Sequence, residues 1–241
     1  MGRLNKGDLE NMTRKEQFEN LVRITPELKD QDLKNISVIA DFIGRNINFL
    51  KEVYQSLATG EPVTHQPDIG APVSVTLNIE TGFINMMRGK MSLEFTIEAF
   101  LSFIHLIDIC FIDTLPLGSV VTLDPYFLPM ETQKRLEETD KGFNVMIVSQ
   151  KQTIDKGVPN IYADYYVTLW PYGLAEYSPP FIIPTLAIKE VLHKGYQTGG
   201  QKKYLEVVNS KIISNNMKSF MYLTARQQQD IQTGKAGESS G

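Results

Sequence analysis

Four side chains in one apolar stretch are the first candidates for chemistry. Glu94, Glu98, His105 and Asp108 are spaced by 4, 7 and 3 residues, which places them on one face of a helix. Carboxylates and a histidine on a bundle helix are the raw material of a metal site. The Glu-x-x-His spacing of such sites is absent, and no second segment repeats the pattern, so the four read as the solvated stripe of an otherwise buried helix. The three histidines, His65, His105 and His193, fall in separate elements, none with a Cys or second His at ligand spacing. Gly118-Ser119 lacks the Gly-x-Ser-x-Gly elbow of an activated serine; Pro116 and Gly118 read instead as a bend before a strand. Gly199-Gly200-Gln-Lys-Lys could seat an anion at a helix N-terminus, but it lacks phosphate-loop spacing and reads as a hinge. No catalytic residue, metal ligand or cofactor site is assigned, and no enzyme is expected.

The elements that must position these residues are mostly helical outside one central stretch. The chain has 241 residues, is 42% hydrophobic and carries a net charge of −4. It can bury a real core, as one large domain or two small ones. The mild acidity offers no electrostatic case for nucleic acid or for an anionic membrane. Cys110 is the single cysteine, so no intramolecular disulfide framework exists. The Met1–Asp8 segment has no apolar core of a secretory leader and places Lys6 where myristoylation requires Ser or Thr. With the sequons at Asn11 and Asn35 given no weight, a cytoplasmic location is expected.

A first helix is expected over 8–24, with Asp8 and Glu10 suited to its start. Thr25-Pro26 reads as the cap and first position of a second helix running to Ala58. Its apolar stripe recurs at three and four residues, with Gly44 as a point of interruption. Val73 to Ile79 alternates as a strand, whereas Phe83 to Met91 looks like a helical turn. Ser92–Ile112 reads as a buried helix rather than a membrane span, since an acid at the bilayer centre costs roughly 3 kcal/mol. Strands follow at Ser119–Leu123, Phe143–Val148 and Ile161–Leu169, separated by a polar run, Glu131–Lys141, that reads as a helical turn or loop. Trp170-Pro-Tyr-Gly173 is turn chemistry, returning through Leu174–Tyr177. A short helix near Thr185 and an edge strand at Val191–Tyr196 complete the sheet, and 201–229 is a final amphipathic helix. The fold class is α+β: a helical region (1–112), a small mainly antiparallel sheet domain (113–197), a long C-terminal helix (198–230) and a disordered tail (231–241).

Aromatic residues crowd the third strand and its turn: Tyr162, Tyr165, Tyr166, Trp170, Tyr172 and Tyr177. Stacking on bases is one use of such a surface. Asp164, Glu176 and the absence of Lys or Arg between Lys156 and Lys189 oppose it. Protein contact is the preferred role. The expected binding surface is Tyr162, Tyr165, Trp170 and Tyr172 on the hairpin, Phe49 and Tyr54 on the long helix, and Phe220 and Tyr222 on the terminal helix. The expected partner is a protein, with no nucleic acid and no membrane insertion.

Leu115-Pro-Leu-Gly-Ser-Val-Val121 resembles the opening of a Firmicute family labelled a domain of unknown function. Genes of that family sit beside LXG toxin genes in type VII (Esx, WXG-type) secretion loci. The later order is similar too: the aromatic strand Tyr162–Gly173, a short helix, then Lys189-Glu-Val-Leu-His-Lys-Gly-Tyr196. The chain departs from the pattern in a longer first connection (124–142) and in Ser149-Gln150 where Gly-Arg is usual. The resemblance implies a non-enzymatic chaperone, adaptor or targeting factor for the helical region of a secreted toxin or its small helical partners. An immunity protein that binds and neutralises the toxin domain is the alternative.

Overall fold

The computed structural model describes residues 12–137, 142–154, 160–174 and 179–223. These residues form two compact units of a mixed α+β fold: 12–113 together with Tyr222 and Leu223, and 114–221.

Helix α1 (Arg14–Ile24) begins later than its acids suggested. Thr13 and Glu16 form a reciprocal capping box: Glu16 N–H donates to the Thr13 hydroxyl, and Thr13 N–H donates to Glu16 Oε2 at 2.7 Å. The Thr13 N–H, and after it the Thr13 hydroxyl, which donates to the same Oε2 at 2.8 Å, hold the Glu16 carboxyl below its ordinary pKa. Asp8 and Glu10 lie outside the described residues. Thr25 closes α1 instead of opening the next helix. Its N–H and its hydroxyl both donate to the Leu21 carbonyl, at 2.9 and 2.8 Å.

The expected long helix over 26–58 is two helices, α2 (Leu33–Gly44) and α3 (Ile47–Thr59). Asp32 caps α2 by accepting from Asn35 N–H at 2.9 Å. The break has a packing cause. A Cβ on Gly44 would overlap Phe111 and lie 2.6 Å from its Cγ, so only glycine allows the end of α2 so close to that ring.

The region expected to be helical also holds a four-stranded antiparallel sheet, β1 (Val63–His65), β2 (Val73–Asn78), β3 (Phe83–Arg88) and β4 (Met91–Thr96), in that order. The strand expected at 73–79 is present as β2, the helical turn expected at 83–91 is corrected to a strand, and the helix expected over 92–112 begins only at Ile97 because its first residues belong to β4. Gly82 and Gly89, at φ 71 and 58, supply the left-handed turns that the Met-rich run between them conceals. Val73, Val75, Ile84, Met86, Leu93 and Phe95 are buried and alternate with the outward residues.

Helix α4 (Ile97–Phe111), capped by Thr96, buries twelve of its fifteen residues and forms the axis of this unit. Phe103 stacks on Phe95 at 5.1 Å and meets Phe18 edge-on at 6.2 Å. No helix among the described residues is long and apolar enough to cross a membrane.

The second unit is a sheet of β5 (Val120–Leu123), β6 (Asn144–Thr153), β7 (Ile161–Leu169), β8 (Phe181–Ile183), β9 (Ile188–His193) and β10 (Lys218–Ser219). The strand order is β10-β7-β6-β5-β9, with β8 also on β7. All pairs are antiparallel except β10 with β7. β7 is therefore central and β9 is an edge. The polar run contributes α5 (Met130–Glu137); 138–141 lie outside the described residues, as do 175–178, most of the expected hairpin return.

Gly199 and Gly200 are the first turn of α6 (Gly199–Ser214), not a hinge, with the Thr198 hydroxyl accepting from Gln201 N–H at 3.1 Å. The terminal helix ends at Ser214 rather than 229. Asn216 adopts φ 48, a left-handed stop that asparagine tolerates, and the chain then joins the sheet as β10. The tail expected over 231–241 lies outside the described residues.

Candidate functional site

The expected aromatic surface is divided by burial. Tyr162, Tyr165, Phe49 and Tyr222 are buried and belong to the two cores, which corrects their assignment as contact residues. Tyr54 and Phe220 are half-buried. Trp170 and Tyr172 remain exposed, at the end of β7. β7 is flanked by β6 on one edge and by β8 and β10 on the other, and eight of its nine residues are buried. Both faces of β7 are covered, and alternation along it cannot present a wet side.

Tyr165 has a specific task. Its hydroxyl accepts from Leu115 N–H at 3.0 Å, and the Gln150 amide donates to the Leu115 carbonyl. One of the positions that departs from the resembled family's pattern thus holds the first residue of the opening motif. Three residues on, Gly118 turns the chain at φ 76, and its N–H donates to the Ile147 carbonyl at 2.9 Å. Ser119 is fully buried. Its hydroxyl donates to the Pro116 carbonyl at 2.7 Å and accepts from Gly195 N–H at 3.0 Å. Both of these bonds tie the hydroxyl to backbone, so Ser119 is a structural latch between the start and the close of the domain.

A second polar cluster was not anticipated. Gln150 pairs with Tyr165 and Gln152 with Ala163, which brings Lys151 opposite Asp164. Lys151 Nζ donates to Asp164 Oδ1 at 2.8 Å, with both side chains almost wholly buried. Asp164 Oδ2 accepts from the Ser219 hydroxyl at 2.8 Å and from Thr185 N–H at 3.2 Å. The carboxylate thereby joins β6, β7, β10 and the short 3-10 helix Thr185–Ala187. Lys151 also lies 5.0 Å from the centre of the Tyr162 ring. Asp164 consequently adds no free negative charge to the surface, and it does not oppose a nucleic acid electrostatically as its presence among the aromatics suggested. An acid within an apolar strand was the signal for this cluster.

The helical stripe is also corrected. Glu94 stands on β4, and Glu98 is exposed in the first turn of α4. His105 and Asp108 are buried. The Tyr222 hydroxyl donates to Asp108 Oδ2 at 2.9 Å, and its ring lies 5.6 Å from His105. His65 packs against Phe42 and Phe49, and His193 is exposed on β9. Among the described residues, no group of three or more His, Cys, Asp or Glu converges as a metal site would require. Burial pushes the Cys110 thiol up to about 12.

One accessible apolar surface is the edge of the second unit. β9 exposes Val191 and Leu192, which point to opposite faces. Leu117, Tyr196, Tyr204 and Val207 are exposed as well, as is Leu174 beyond the Trp170–Gly173 turn. An edge strand uncovered on both faces is a site where other chains add.

Residues 114–204 match the model of a family described as a domain of unknown function (DUF4176). The match spans β5 to β9 and the first six residues of α6, and β10 lies beyond it. Neither the curated proteins nor the solved structures contain a significant match to the chain.

Proposed function

We propose that the protein is a non-enzymatic accessory of toxin export, a chaperone, adaptor or targeting factor that binds the helical region of an LXG toxin in the cytoplasm. The observation that carries this reading is the coincidence of two spans. The family match covers 114–204, and the residues that resemble the toxin-associated family run from Leu115 to Tyr196. The polar residues of that span support binding rather than turnover. Ser119, Lys151 and Asp164 are buried and hold the sheet together, while its exposed side chains at Trp170, Tyr172, Val191 and Leu192 are apolar or aromatic. Aromatic anchors and an open strand edge are what a protein partner uses.

The test is co-expression with an LXG toxin from the same genome, divided into its N-terminal LXG region and its C-terminal toxic domain. Co-purification with the LXG region, together with loss of toxin export when the gene is deleted, is the expected result. Binding to the toxic domain with rescue of intoxicated cells would instead make the protein an immunity factor.

A further inference from the structure

Helix α6 is packed on one side only: of its sixteen residues, Leu205 and Ile212 are buried. Lys203, Tyr204, Val207 and Lys211 recur at offsets of 1, 4 and 8, which makes them a single stripe along the opposite side. All four are exposed. The stripe does not end with the helix. With its amide nitrogen turned towards Tyr196, the Gln201 side chain donates to the Tyr196 carbonyl and accepts from Leu117 N–H, each at 3.2 Å. It thereby seats the first turn of α6 beside Tyr196 and Leu117, which are 87% and 46% exposed. The result is an apolar track with lysines along it.

Its charge is opposite to that of the molecule. Along α6 there are three lysines, Lys202, Lys203 and Lys211, and one glutamate, Glu206, a net +2 in a chain whose net charge is −4. An apolar stripe at helical spacing flanked by lysines is complementary to an amphipathic helix carrying acids beside its own apolar stripe. We infer that the α6 face, from Leu117 and Tyr196 to Lys211, docks an acidic amphipathic helix of a partner protein. The inference rests on the binding role proposed above and specifies the partner's chemistry. An anionic bilayer would meet the same lysines, but it would also meet the excess negative charge of the rest of the chain.

Fluorescence anisotropy on the full chain tests this with a labelled helical peptide of Leu and Glu in heptad spacing, its Leu/Lys counterpart, and phosphatidylglycerol vesicles. The acidic peptide is expected to bind and the basic one not. Binding should weaken with salt and fall about tenfold or more in K203E/K211E, equivalent to about 1.4 kcal/mol. Tyr204→Ala with Val207→Ser should weaken it without changing its salt dependence. These positions are exposed, and an unchanged circular dichroism spectrum shows that the variants fold. Equal binding of both peptides, no binding of either, an unaffected K203E/K211E variant, or capture by vesicles alone would overturn the inference. The toxin pull-down separates the two claims. If the acidic peptide binds but no toxin is captured, the docking face stands and the export role falls. If K203E/K211E captures toxin as well as the wild type does, the role stands and this face is not its site.

Discussion

Gly195 lies against the backbone of Leu117 with no room for a side chain between them. A Cβ on Gly195 would overlap the Leu117 carbonyl oxygen and fall 2.9 Å from Ser119 nitrogen. Because the obstacle is backbone, Gly195→Ala must displace either β9 or the Pro116–Ser119 bend. The expected loss is about 1–3 kcal/mol or more, measured as a lower urea midpoint. A midpoint equal to that of the wild type would show that the two ends of the domain do not meet there.

Asp164→Ala should be more damaging. It removes the acceptor of three buried donors, from Lys151, Ser219 and Thr185. Breaking a buried ion pair from one side costs about 3–5 kcal/mol. Combining it with Lys151→Met should recover part of that loss, because the double variant leaves no buried unpaired charge. A double-mutant cycle in denaturant gives the answer, and strict additivity would mean that the two side chains are not coupled.

Much of the sheet unit was legible in the amino-acid sequence because its signals are local. Val120–Leu123 and Ile161–Leu169 are β-branched and aromatic runs bounded by Pro and Gly. The features that were not legible depend on distant contacts. Gly44 is legible as the interruption between α2 and α3, but nothing near residue 44 announces the Phe111 ring that it meets. The strand at Phe83–Arg88 was hidden because methionines suit either period, although Gly82 and Gly89 marked its ends. The final helix was drawn too long because Met217, Phe220 and Met221 continue the apolar period past the stop at Asn215-Asn216. At the candidate site, aromatic content identified β7 but not its covered faces. Alternation reports which residues share a face, and the strand's neighbours determine whether that face is wet.

Cys110 provides a pH-dependent prediction. Burial lifts its pKa from 9.0 to about 12 in the folded chain, so the native state holds this proton more tightly than the unfolded state does. The contribution to stability is complete below pH 9 and is lost as pH rises towards 12, by roughly 1.4 kcal/mol per unit. The wild type should therefore lose stability faster than Cys110→Ala above pH 9. At pH 8, iodoacetamide should label the thiol only after unfolding.

Tyr222→Phe removes one hydroxyl, the donor to Asp108. A hydrogen bond to a buried carboxylate contributes about 1.5–3 kcal/mol. The ring contacts with Tyr54 and His105 remain, so the fold should persist with a lower melting temperature. An unchanged melting temperature would mean that Asp108 is satisfied equally well without this donor.

The place of Tyr222 in the chain also bears on the order of synthesis. The ribosome releases residues 12–113 first, then the whole strand-rich unit, and only afterwards the tyrosine that packs on His105 and donates to Asp108. The amino-terminal half therefore waits, incompletely packed, until its neighbour has been translated. For the same reason a fragment ending at Asp113 lacks the ring that packs on His105 and the hydroxyl that donates to Asp108.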